Sequence, residues 1–148
     1  MSQRPPSVTR RHTRALVMQA LYQQQFDDTS RAELIRQFRE RREHERVDPE
    51  YFAMLVNEAM AELDVLDAEI GSLADRDVEQ LTAVEIAILR LGLTELRQHI
   101  EVPYKVVINE AVELARRFGA EDGHKYINAI LDRAAKTHRQ AETAARPG

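Results

Sequence analysis

Apolar positions recur through this chain at intervals of three and four residues far more than at intervals of two. That spacing gathers hydrophobic side chains on one side of a helix, whereas a half-buried strand would alternate, so helix is expected almost throughout. Met1 to Val8 carries Pro5 and Pro6 but no periodic apolar set, which predicts a mobile arm over residues 1–8. The first helix is expected to start near Thr9, with Ala15, Met18, Leu21 and Gln25 or Phe26 along one side. Arg31 to Arg46 has Leu34, Ile35 and Phe38 as its strong apolar group, the pattern of a short peripheral helix that frays toward Glu45. Asp48 before Pro49 is a start signal, because the carboxylate can cap free amides and proline fits the first turn. One long helix should follow, its stripe running through Phe52, Leu55, Val56, Ala59, Leu63, Leu66 and Ile70 to a stop at Gly71.

Ser72 to Leu81 is polar and acidic, a link between helical subdomains of about residues 9–71 and 72–139. Thr82 and Glu85 then match a capping box. From Val84 to Leu96 apolar residues cover more than one face, as in a central helix packed on several sides. Two further helical patterns meet at Gly119. Val107, Ala111, Leu114, Ala115 and Phe118 form the buried stripe of the first, with Glu110, Glu113, Arg116 and Arg117 facing elsewhere. Gly119 is expected to close that helix in the left-handed conformation and Asp122 to cap the next, whose stripe is Ile127, Ile130, Leu131 and Ala134. The corner presents Asp122, Lys125 and Tyr126 on two packed helices, which suits a recognition surface. The same trio is equally what a cap, a solvated charge and a core ring with a wet tip would give. Residues 140–148 read as a flexible tail.

Composition narrows the function classes. A chain of 148 residues suits one core, the lack of cysteine excludes disulfides and thiolate metal sites, and no apolar run approaches membrane-spanning length. A soluble cytoplasmic protein is expected. The net charge of −4 is unevenly spread, at +4 over residues 1–46, −9 over 47–100 and +1 over 101–148. Such separation fits a polyanion on one surface and a basic protein on another, as well as a merely solvated acidic face. Arg10 and Arg14 share a helix face and Arg11 widens it, although arginines oppose the dipole at a helix start. An anionic ligand would account for them, and so would a soluble helix start. The histidines form no ligand pair, and neither a nucleophile elbow nor a glycine-rich phosphate loop is present, so catalysis, metals and cofactors are not expected.

Three blocks, RRHTRALVMQALY at 10–22, VEIAILRLGLTEL at 84–96 and PYKVVINEAVELARRFGAEDGHKYINAILD at 103–132, resemble the bacterial NusB family of transcription antitermination factors. The resemblance implies an all-α fold of two small helical bundles packed into one domain. It also implies binding of single-stranded boxA-type leader RNA together with the ribosomal protein NusE, in the service of transcribing RNA polymerase. By position, the family's RNA contacts fall on Arg10, Arg11, Arg14 and Tyr22, and on Phe118, Asp122, Lys125 and Tyr126. The protein partner is expected along the acidic middle, with Glu85 as its firmest match. Departures at His12, Thr13, Thr94 and Ala129 bear on RNA affinity more than on fold. Single-stranded RNA wants guanidinium groups for phosphates and aromatic faces for bases, which Arg10, Arg14 and Tyr126 would supply as one cationic track. Alternative readings are a NusB-like targeting module acting with a ribosomal RNA methyltransferase and a self-associating helical interaction protein. Monomer and homodimer are both compatible with the resemblance.

Overall fold

The structure is a computed structural model that describes residues 6–41, 46–74 and 78–144. Its first helix, α1 (Pro6–Gln24), starts ahead of Thr9. Proline's fixed φ and missing N–H suit a first turn, whose amides have no helical partner anyway, so Pro6 extends the helix into part of the expected arm. Residues 1–5 of that arm lie outside the described residues. Burial on α1 covers Leu16, Val17, Met18, Ala20 and Leu21, since the helix packs on both α3 and α5.

The short helix α2 (Arg31–Arg39) is capped by Ser30, buries Leu34 and Phe38, and lies across α1 and α3. The fraying expected toward Glu45 falls outside the described residues. Asp48 caps α3 (Pro49–Ala61) as its sequence predicts, accepting from the amides of Glu50 at 3.0 Å and Tyr51 at 3.1 Å. The single long helix does not form. Glu62, at φ −128° and ψ 29°, breaks it, and α4 (Leu63–Leu73) continues in a new direction, through Gly71 rather than stopping there. Leu66 and Ile70 stay buried beyond the break, which is why the apolar spacing conceals it. The kink lets α4 reach α5 and α7 while α3 packs on α1 and α2.

A 3₁₀ turn at Val78–Gln80 leads into α5 (Ala83–Gln98), whose capping box forms as expected. This helix is buried on nearly every side and contacts α1, α3, α4, α6 and α7. The last three helices are α6 (Tyr104–Phe118), α7 (Gly123–His138) and α8 (Gln140–Ala144). Buried residues from α1 to α7 form one continuous cluster.

The expected tail is ordered over residues 140–144, because Glu142 accepts the Tyr104 amide at 3.0 Å and binds Arg139. Arg139 itself is an unforeseen core residue. Its guanidinium donates to the carbonyls of Glu95, Leu96, His99 and Val102 at 2.8 to 3.2 Å, tying the last turn of α5 to the loop that follows it.

Candidate nucleic-acid interface

The arginines of α1 have three different environments. Arg10 stacks on the Tyr51 ring, with its Cζ 3.6 Å from the centroid. Arg11, 60% exposed at its side chain, forks onto Glu110 through Nε at 3.0 Å and Nη2 at 3.2 Å. Arg14 is only 4% exposed and donates through Nε to both oxygens of Glu95, at 2.8 and 3.1 Å. The Tyr51 hydroxyl donates to the same carboxylate. Burial first, and Glu95 next, push the tyrosine's pKa well above its ordinary 10.0, so it remains a protonated donor. Burial works against the charge on Arg14, but its bonds to Glu95 outweigh that penalty.

Arg14 is therefore a buried counter-ion whose guanidinium only borders the clefts beside α6, in contrast to the exposed Arg11. A signal was present in the sequence: Arg14, Met18 and Leu21 share the stripe that faces the core. Glu110 departs from expectation in the same way. It faces α1, with its side chain 13% exposed, instead of pointing away from the fold.

The α6–α7 corner is built differently from its sequence reading. Gly119 is extended, at φ −87° and ψ 178°, and Asp122 takes the left-handed conformation at φ 66° without a side-chain capping bond. Asp122 instead sits 3.4 Å from the Lys125 ammonium. The corner is pinned from α5. One oxygen of Glu85 closes the capping box on the Thr82 amide at 3.0 Å, and the other accepts the Ala120 amide at 3.1 Å. A Cβ on Gly123 would lie 2.0 Å from that second oxygen, so the glycine is there for space. Glu85 is 2% exposed, its carboxylate enclosed by the turn it holds.

Phe118 ends the α6 stripe beyond its packing neighbours and is 40% exposed, with the Arg117 guanidinium over its ring at 4.8 Å. Tyr126 is 45% exposed on α7. Tyr22 and Phe26, also exposed, form an aromatic pair with centroids 5.1 Å apart at the end of α1. Gln25 ties that end to α5 by donating to the Ala83 carbonyl at 2.8 Å. Phe26, an alternative core position by its spacing, is instead an exposed ring that extends the aromatic surface beside Tyr22.

Helix α6 joins these regions. Asn109 and Glu110 line a cleft with Arg10 and Arg11 of α1, while Asn109, Glu113 and Arg116 line another with His124, Lys125 and Asn128 of α7. The arginine end of α1 and the start of α7 thus flank a single helix. The strip between them is not uniformly cationic, because Glu110 holds Arg11 and Glu113 holds Arg116 at 3.1 Å. The acidic middle is likewise matched internally: Asp67 pairs with Arg90, Glu62 and Glu69 with Arg97, Glu58 with His99, and Glu69 also with His138. Among the described residues no cluster of carboxylates and histidines could hold a metal ion, and no helix is long and apolar enough to cross a membrane.

The profile of the NusB family matches residues 11–136. Transcription antitermination protein NusB of Alcanivorax borkumensis is 44% identical over 137 residues, covering 93% of this chain and 91% of that protein. The protein of the same name from Marinobacter nauticus is 42% identical over 142 residues, covering 96% and 90%. Among solved structures, T. maritima NusB superposes with a TM-score of 0.77 at 29% identity, over 97% of this chain and 99% of that one. A complex titled as antitermination factors NusB and NusE with dsRNA contains a chain of like fold, at TM-score 0.73 and 23% identity, over 87% and 97%.

Proposed function

Because the chain belongs to the NusB family, we propose that it acts in transcription antitermination, binding a boxA-type leader RNA jointly with the ribosomal protein NusE and presenting it to transcribing RNA polymerase. The observation that carries this reading is whole-length kinship with proteins named for antitermination. The surface formed by α1, α6 and α7 supports it with suitable chemistry. Arg10, Arg11 and Lys125 offer cations for phosphates, and Tyr22, Phe118 and Tyr126 offer exposed rings on which bases stack. Asp122, 3.4 Å from the Lys125 ammonium, competes with a phosphate for it and so tunes the strength of that contact. Arg14 and Glu85 act beneath this surface, one holding the start of α1 and the other the α6–α7 corner.

In this reading the protein is a cytoplasmic adaptor that works by binding and not by catalysis. Phosphate contacts alone bind RNA indiscriminately and weaken steeply with salt, so a second protein that adds contacts should raise affinity at every salt concentration. Titration of a boxA-type RNA with and without NusE, at two salt concentrations, is expected to show tighter binding in the mixture at both. Equal affinity in both arms would remove the mechanism.

A further inference from the structure

The cleft between α1, the α5–α6 loop and the first turns of α6 is a cavity of about 780 Å³, within the range of roughly 300–1,000 Å³ usual for small-molecule sites. Val102, Pro103 and Val106 give it an apolar wall, and Val106 is well exposed there. Its carboxylates are already occupied. Asp48 caps α3, Glu101 binds His99 at 3.1 Å, and Glu110 holds Arg11. Other polar groups of the lining are not. The exposed Asn109 amide makes no hydrogen bond to a described residue, and Arg10 stacks on Tyr51, its guanidinium near Glu101 but making no hydrogen bond to a described residue.

An apolar wall, a fixed guanidinium and a free amide are what one splayed nucleotide requires. The wall covers the face of the base, the guanidinium takes its phosphate, and the amide, with both donor and acceptor, reads its edge. We propose that this cleft seats a single unstacked base of the bound RNA and that Asn109 is a specificity-determining residue for it. The proposal rests on the antitermination reading and adds where sequence is read. Arginine and lysine contacts set affinity without information, so discrimination needs a group of this kind. Asn109 also borders the Lys125 cleft, so the seated base would lie between the two cationic regions.

The test uses the full chain with NusE present, a boxA-type RNA oligomer and a scrambled oligomer of equal length. Asn109→Ala should lower the preference for the boxA-type sequence about tenfold and leave binding of the scrambled RNA nearly unchanged. Val106→Trp, which fills the cleft without removing a polar group, should do the same. Arg10→Ala should weaken both RNAs together and reduce the salt slope by about one. Asn109 and Val106 are exposed, so the unfolding midpoints of their variants should match that of the parent. If Asn109→Ala retains the parent's sequence preference, the base pocket is refuted and the antitermination reading stands. If the parent binds neither RNA in the presence of NusE, both fall. An oligoglutamate peptide that shifts the Asn109 amide resonances, where the RNA leaves them in place, would assign the cleft to an acidic protein segment instead and overturn the proposal.

Discussion

At the scale of single residues, burial separates arginines that the sequence presents alike. Removing the Arg14 side chain strands Glu95 in the core, and loss of one partner of a buried pair costs about 3–5 kcal/mol. Arg10→Ala loses a stacking contact worth about 0.5–2 kcal/mol. Denaturant unfolding of Arg14→Ala and Arg10→Ala is therefore expected to show a large loss for the first and a small one for the second. Equal losses would contradict the placement of Arg14. His99 provides a test in pH. Burial lowers its pKa, but hydrogen bonds to Glu58 of α3 and Glu101 of the following loop outweigh that, and the net shift is upward from 6.5. A raised folded pKa means the folded state holds the proton more tightly, so the contribution is complete below pH 6.5 and is lost as pH rises through the folded value. Unfolding free energy should decline across that window, and His99→Gln should flatten the decline.

At the scale of elements, local signals were readable where their partners lie close in sequence. The Asp48 cap and the Thr82–Glu85 box each bridge two or three residues and appear as expected. The second bond of Glu85 spans 35 residues to Ala120, and no spacing rule anticipates it. The break at Glu62 escaped for a related reason: a kink of one residue leaves apolar positions three and four apart, so periodicity runs across it. Gly71 had the form of a stop signal, yet it lies inside α4, exposed and with nothing within 4 Å of a would-be Cβ. Gly71→Ala should thus stabilise the protein by about 0.5–1 kcal/mol, the helix-propensity difference between the two residues. Thermal or urea unfolding measures it, and a destabilised variant would count against a helical Gly71.

At the scale of the whole molecule, one core runs from α1 to α7 around the buried α5, and the surface is a consequence of how helices are wrapped on it. A continuous core predicts that far-ultraviolet circular dichroism and near-ultraviolet tyrosine signals follow a single coincident unfolding transition. Two separated transitions would mean the residues before and after the polar link melt apart. The all-α class and the central helix were legible in the chain itself, because apolar periodicity and short capping motifs are properties of neighbouring residues, and the family was legible through the resemblance of three sequence blocks. Folding alone decided that Arg14 and Glu85 turn inward, that Arg139 closes the end of α5, and that α1 and α7 share α6 as a common border. Those outcomes depend on which charges meet across 35 to 81 residues of sequence, and only close packing determines which of them keep their water.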